Sequence, residues 1–474
     1  MKSKSYRILL VIVALLISIT AVGCQGSSES ATSTENGGLR TPVPQPDELA
    51  GSIKFSTYST EGYDASAFNF IGDFNQQYPG VEISEDSAIS YEEYFATLDQ
   101  RVEDGTIGDV FLVDSDRLAT YVEKGYVLDI TPYLDGLIEY TSGSYSKLVP
   151  EELFFGAAYQ SALYQDKMYM IPTEYENKAV WVNLDLLQEA GLTVPEDKWT
   201  WDDLLSYAEA LKKIGCKNPI SMDYADFSIW GSFAMSQGMD ILMEGATPED
   251  KVLNLTDAKV AQGLEYLVDS FIRTGYVAEK TPDQITPEEL SEYGMVVLSH
   301  ADLSKWEKKL AEEGFEWEFA HLPRFEGKDG ATNVRIGVKT LGLAVRVRDL
   351  SQEEEENAQA MRDEICAQLA LYAMVHEAAT HLSGLSGVRV PALISVNHAR
   401  FWRDYPVSGK NTSVFSLFSE YDYAANLSVY MSLDAAKEID AAMGKALKDC
   451  ASAGAGTHVD AYLQTIQDLA NTKW

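Results

Sequence analysis

The sequence predicts an α/β protein of alternating strands and helices, and three observations carry that reading. Ile53 to Tyr58 alternates apolar and polar side chains at the period of a strand, and an amphipathic stretch, Ala65 to Tyr78, follows it. Tyr91, Tyr94, Phe95, Leu98 and Val102 recur at i, i+3, i+4, i+7 and i+11, which is one face of a helix. Asp109 to Val113 is a short, continuous, mostly apolar run of the kind found in strands covered on both sides. Strand–helix–strand repetition predicts a parallel sheet with helices on both faces.

The remaining elements follow in order. Pro79-Gly80 stops the first helix, Val81 to Ile83 is the next strand, and Gly105 ends the second helix. A second region of the same kind starts near Val180. There Thr200 and Asp203 form a capping box ahead of Trp201, Leu204, Leu205, Ala208 and Leu211, and Gly215 closes that helix. Met295 to Leu298 and Leu341 to Val347 read as further buried strands. Ser351 to Asn357, with four consecutive Glu, reads as a solvated loop or helix start. Helical patterns run over Ala435 to Leu447 and His458 to Leu469.

Composition narrows the function. A chain of 474 residues with 46% hydrophobic content is no disordered segment, and at about 150 residues per domain it holds two or three domains. Lys+Arg 37 against Asp+Glu 73 gives a net charge of −36, which repels nucleic acid. Four Cys without a C-x-x-C argue against a disulfide scaffold or a Cys-ligated zinc. Cys216, Cys366 and Cys450 are expected as buried, unpaired thiols.

Enzyme signatures are absent or broken. His376 and His381 are five residues apart, so on a helix they lie about 140° from each other and cannot share a zinc. There is no G-x-S-x-G elbow and no phosphate loop, and Gly384-Leu385-Ser386-Gly387 does not substitute for the elbow. No catalytic residue, metal or cofactor is assigned, and ATP hydrolysis falls to another chain. A carboxylate pair of glycosidase type within the acidic loops stays open.

The N-terminus points outside the cytoplasm. Lys2, Lys4 and Arg7 precede the apolar run Ile8 to Ile19, so residues 1–23 read as a signal peptide. Ala21-Val22-Gly23-Cys24 resembles a bacterial lipobox. The resemblance implies acyl chains such as palmitate on Cys24 and a lipid-anchored protein on the outer face of a membrane, as in Gram-positive bacteria. Residues 24–50, rich in Ser, Thr, Gly and Pro, read as a disordered tether.

Several segments, in this order and spacing, resemble the extracellular solute-binding proteins of family 1, the maltose-binding type of receptor for sugar importers. They are Phe74 to Ile83, Gly108 to Phe111, Gly125 to Leu134, Lys167 to Pro172, Val182 to Leu187, Ala190 to Leu192 and Trp199 to Leu204, with a weaker match at Gly387 to Ala392. The resemblance implies a two-lobed periplasmic-binding-protein-like α/β fold (type II) with a ligand cleft between lobes joined by crossing strands. Lobe one would take residues 51–174 with 338–390, and lobe two 178–325 with 391–474. The crossings fall near Thr173 to Lys178, Gly327 to Val338 and Gly384 to Pro391. A monomer is expected, delivering a small solute, by the resemblance a carbohydrate, to an ABC permease and its ATPase.

Pockets in α/β sheets form at the carboxyl ends of strands, which selects four loops. The first offers Thr60, Glu61 and Tyr63. The second offers Asp116 and Arg117, whose family counterparts grip sugar hydroxyls; either Ser115 or Asp116 could instead cap the following helix. The third is the first crossing, Glu174-Tyr175-Glu176, with Tyr175 and Glu176 as the candidates. Glu176 lies four residues after Pro172 and seven before Asn183, the spacing of a ligand-binding Glu in maltose-type members. The fourth offers His300 and Asp302. Trp230 is a ring candidate in lobe two. Val113 and Asp302 stand where maltose binders carry rings, which argues against maltodextrin but not against sugars. A non-sugar solute, such as a polyamine or peptide-like cation, is the alternative within this class, and a surface glycan-processing enzyme the alternative outside it.

Overall fold

In the computed structural model two mixed sheets are joined by strands that pass from one to the other. The residues described are 48–58, 70–134, 138–141, 144–147, 150–196, 198–239, 241–243, 252–299, 316–325, 335–348, 355–380, 390–394, 412–415, 422–425 and 431–473, with 306, 310, 314, 410 and 427. The signal peptide, Cys24 and nearly all of the tether lie outside them.

The first sheet holds β1 (Gly51–Ser56), β2 (Val81–Asp86), β3 (Val110–Asp114), β4 (Ile171–Glu176), β9 (Arg335–Val345) and β10 (Val390–Pro391), in the order β10-β4-β9-β3-β1-β2, with β11 (Asp422–Ala425) on β9. The second holds β5 (Lys178–Asn183), β6 (Asn218–Ser221), β7 (Tyr293–Ser299) and β8 (Trp317–His321), in the order β6-β7-β5-β8. The helices used below are α1 (Phe70–Gln77), α2 (Tyr91–Glu103), α3 (Ser115–Glu123), α4 (Trp201–Lys213), α5 (Phe227–Met235), α6 (Ala258–Leu267), α7 (Glu355–Thr380), α8 (Leu433–Ser452) and α9 (Asp460–Asn471).

The purely parallel sheet expected from the strand–helix rhythm is corrected. β1 runs parallel to β2 and β3, but β9 is antiparallel to β3 and β4, and β5 is antiparallel to β7 and β8. The reason is the crossing. β4 continues through Asn177 directly into β5, so β5 begins at the gap between the sheets, where β7 ends. β9 pairs with β11 over 335–338 and from Lys339 on runs between β3 and β4. A strand that arrives without a crossover helix lies against its neighbours antiparallel.

Helix ends follow the sequence signals closely. The Thr200–Asp203 capping box opens α4, each side chain accepting from the other's backbone N–H. Gly215 takes a φ of +89° just after it. Ser90 caps α2 by accepting from the Glu93 N–H. α2 is pinned to the sheet by Tyr94, whose buried hydroxyl donates to Leu112 O at 2.7 Å.

β5 alternates between two cores. Ala179 and Trp181 face a cluster that includes Phe319 and Phe415, while Val180 and Val182 face Phe233, Leu264 and Met443. Cys216, Cys366 and Cys450 are buried and unpaired, as expected. Among the described residues no helix is long and apolar enough to cross a membrane.

Two close approaches depend on glycine. A Cβ at Gly342, beside an irregularity in the β9–β4 register, would meet Ile171 O at 2.3 Å and Met170 Cγ at 2.4 Å. One at Gly444 on α8 would meet the Ala225 Cβ at 2.4 Å, so glycine lets α8 lie against the 223–226 turn. Gly342→Ala should therefore destabilise the fold by about 1–3 kcal/mol through overpacking. Calorimetric melting would read this as a lowered Tm, and an unchanged Tm would contradict the packing described.

Candidate functional site

The carboxyl ends of β3 and β4, the middle of β9 and the start of β5 meet at the gap between the sheets, and they bring charged side chains with them. Asp114 ends β3 and caps α3, accepting from the Arg117 N–H at 3.2 Å. This corrects the expectation that Ser115 or Asp116 is the cap. The Ser115 hydroxyl instead accepts from the Thr340 N–H at 3.1 Å, fastening α3 to the head of β9.

Lys339 stands opposite Glu176 in the β9–β4 register and reaches Asp116 at 3.0 Å and Asp114 at 3.3 Å. Burial works against its ammonium, yet the carboxylates of Asp116, Asp114 and Glu176 outweigh that and hold the charge on. Burial raises the Asp114 carboxyl, and Lys339 counters this. Asp116 is nine-tenths buried but faces the second lobe, where it bears on Asp440 of α8.

The facing wall comes from β5, the turn before α5, and α8. Lys178 donates to Asp226 at 2.8 Å, and its proximity keeps the Asp226 carboxyl low against the cost of burial. Asp226 also caps α5, accepting from the Ser228 N–H and hydroxyl at 2.7 and 2.6 Å. Asp440 accepts from the Trp230 indole N–H at 2.7 Å. Burial first, then the carboxylates of Asp226, Asp223 and Asp116, push Asp440 up to about 8. Burial and Asp226 raise Asp223 as well.

Glu174 lies two residues before Glu176 on the same face of β4. Its Oε2 is buried without a hydrogen-bond partner among the described residues, as are the hydroxyls of Thr57, at the end of β1, and Thr340, at the head of β9. Burial and the neighbouring Glu176 push Glu174 up to about 8. Among the described residues no three His, Cys, Asp or Glu are placed to hold a metal ion.

The sequence candidates thus divide. Asp116 and Glu176 are brought together around Lys339. Arg117 turns into its own lobe: Nε donates to Asp99 at 3.1 Å, Nη1 to Asp114 and Nη2 to Phe95 O at 3.1 Å, with the guanidinium over the Phe95 ring. It positions Asp114 rather than opening toward the gap. Tyr175 is wholly buried and donates to Phe415 O at 3.2 Å. Trp230 is wholly buried too, edge-on to Phe227. Their ring faces are core surface because α5 and the crossing strand need apolar packing at those positions.

Thr60, Glu61, Tyr63, His300 and Asp302 lie outside the described residues. Sequence reasoning placed Glu174 in the first crossing without singling it out, and passed over Lys339, Asp223, Asp226 and Asp440. A charge at the head of the buried run Leu341 to Val347 was the one available sign of Lys339.

The raised carboxyls make a pH prediction. Between about pH 4 and pH 8 the folded protein holds protons on Glu174 and Asp440 that the unfolded chain has released, so their contribution is full at low pH and lost as pH rises through that window. Glu174→Gln should remove part of this loss. Its stability relative to wild type should rise by on the order of 1–3 kcal/mol between about pH 5 and about pH 8.5. Denaturant titration at the two pH values checks this, and an equal difference at both would contradict it.

Comparison with known proteins places the chain. Residues 69–407, more than half of it, match the family model described as bacterial extracellular solute-binding protein. An uncharacterized ABC transporter extracellular-binding protein of Pyrococcus horikoshii is 24% identical over 291 residues, which span 59% of this chain and 59% of that relative. The cyclic α-maltosyl-1,6-maltose binding protein of Arthrobacter globiformis superposes with a TM-score of 0.66 at 16% identity, covering 89% of this chain and 98% of its own. An ABC substrate-binding protein of Listeria monocytogenes in complex with cycloalternan gives 0.63 at 16%, with the same coverage. These likenesses show the two-lobed fold of maltose-binding-type proteins, and the family consists of substrate-binding proteins rather than enzymes. The chain belongs to the bacterial extracellular solute-binding proteins.

Proposed function

We propose that this chain is the lipid-anchored, extracytoplasmic receptor of an ABC importer, and that its cargo is a sugar or oligosaccharide held between the lobes. The observation that carries the reading is the meeting of polar groups from both sheets at the gap: Asp116, Glu176 and Lys339 on one side, Lys178 and Asp226 on the other. Carboxylates accept from hydroxyls and ammonium groups donate to them, which is the chemistry a polyol requires. Of two neighbours of the same fold, one is named a cyclic α-maltosyl-1,6-maltose binding protein and the other is in complex with cycloalternan. In this reading residues 51–174 with 338–390 close on 178–325 with 391–474. The ligand stabilises the closed form by its differential affinity, and that form docks on the permease as a monomer. Thr60, Glu61, Tyr63, His300 and Asp302 are proposed as further ligand contacts on the sequence pattern alone. The lipobox supports an anchor at Cys24 that keeps the receptor beside its transporter.

Isothermal titration against a panel of oligosaccharides tests the cargo: saturable binding without turnover is expected, and product formation would replace the receptor with an enzyme. Asp116→Ala and Glu176→Gln should each weaken binding by about 1–3 kcal/mol with the circular dichroism spectrum unchanged. Wild-type affinity in both would remove them from the site. Cys24→Ser should move the protein from the membrane fraction to the medium, and full membrane retention would contradict the anchor.

A further inference from the structure

Two helices from opposite sides of the gap, α3 and α8, lie against each other across it. α3 packs on the first core through Leu118 and Tyr121, and α8 on the second through Ile439 and Met443. Asp116 stands in the first turn of α3, at the carboxyl end of β3, yet it is only 7% exposed. In this arrangement the gap is shut over it, and Asp116 comes within electrostatic reach of Asp440 on α8.

The carboxyl groups that meet there are not equally provided for. Asp116 holds Lys339 at 3.0 Å and Asp226 holds Lys178 at 2.8 Å, and the Lys178 charge also reaches Asp223. Asp440 makes no ion pair among the described residues, and its one donor is the neutral Trp230 indole N–H at 2.7 Å. The other charges around α8 are engaged elsewhere. Lys437 lies on its exposed side, Glu438 pairs with Lys473 beyond α9, and Asp269 pairs with Arg273 at the far end of the helix. Of the acids in the gap, Asp440 is therefore the one left to carry a proton. Asp226 and Asp223 act on it from its own side whether the gap is open or shut. Asp116, and the burial that α3 adds, act only when it is shut.

We infer that shutting the gap is coupled to protonation of Asp440, so that acid favours the closed arrangement and alkali the open one. This rests on the reading of the gap as a cleft that closes, and it adds a proton taken up by the receptor itself. With the gap shut, burial first and then the three neighbouring carboxylates push Asp440 up to about 8. With it open, the carboxyl is hydrated, free of Asp116, and releases its proton at lower pH. Closure therefore binds a proton below that value, and the support is lost as pH rises through it. A ligand that draws the two halves together meets the same cost, so its affinity falls in alkali even where the ligand does not titrate.

Small-angle X-ray scattering of the ligand-free mature protein, recorded from about pH 6 to about pH 9.5, tests the coupling. The wild-type radius of gyration should rise across that range with its midpoint at about 8, and Asp440→Asn should keep the low-pH value throughout. Asp116→Asn removes the charge on the opposite side and should flatten the rise as well, so it decides should Asp440→Asn fail to fold. A wild-type radius that ignores pH, or folded variants that follow the wild-type rise, would overturn the inference. Maltotetraose and cycloalternan, each added at both ends of the range, separate this failure from that of the closing cleft. Contraction by either sugar with no response to pH would overturn the coupling and leave the cleft standing. A radius unmoved by pH and by a sugar that calorimetry shows to be bound would overturn both.

Discussion

One strand that runs unbroken from one sheet into the other constrains the whole molecule. Ile171 to Glu176 and Lys178 to Asn183 are consecutive, and the single residue between them, Asn177, is buried, donating to Phe415 O at 3.2 Å and accepting from the Lys178 N–H at 2.8 Å. A chain on such a path emerges at the space between the lobes and must begin its next strand there. The charged side chains beside the crossing are thereby brought to that region: Glu174 and Glu176 on one side of Asn177, Lys178 on the other. The return strand does the same for Lys339, which it sets between Asp114 and Asp116.

Electrostatics follow from that geometry. Groups that would be well hydrated on an ordinary surface are here desolvated by two lobes at once, so each charge needs a partner or a proton. Some find partners within the chain, as Asp226 does in Lys178. Others, Glu174 and Asp440 foremost, are held near neutrality by their surroundings. In the proposed reading, a ligand gains affinity by supplying partners that such groups lack among the described residues. The same incompleteness costs stability, which is usual where binding groups are set in advance of their ligand.

Much of the local structure was legible in the residues. The Thr200–Asp203 box, the glycine stop at Gly215 and the apolar stripe from Tyr91 to Val102 depend on neighbours in sequence, and the helices sit where those signals put them. Strand direction was not legible, because nothing in the run Leu341 to Val347 tells which end of the sheet it enters. Of the candidates that a family pattern marked, Asp116 and Glu176 come together around Lys339. A guanidinium or an indole suits a pocket wall and a packed interior equally, so only the surrounding Asp99, Phe95 and Asp440 show how Arg117 and Trp230 pack. Asp223 and Asp440 are far apart in the chain and share a wall only because Gly444 lets α8 lie against Ala225.

The central claim is that both lobes grip one solute and move together to do so. Small-angle X-ray scattering of the mature protein, recorded alone and then saturated with a ligand whose binding has been established calorimetrically, tests it most directly. The account predicts a smaller radius of gyration in the saturated sample, with Asn177 and its neighbours acting as the pivot. Superimposable profiles at full saturation would contradict it.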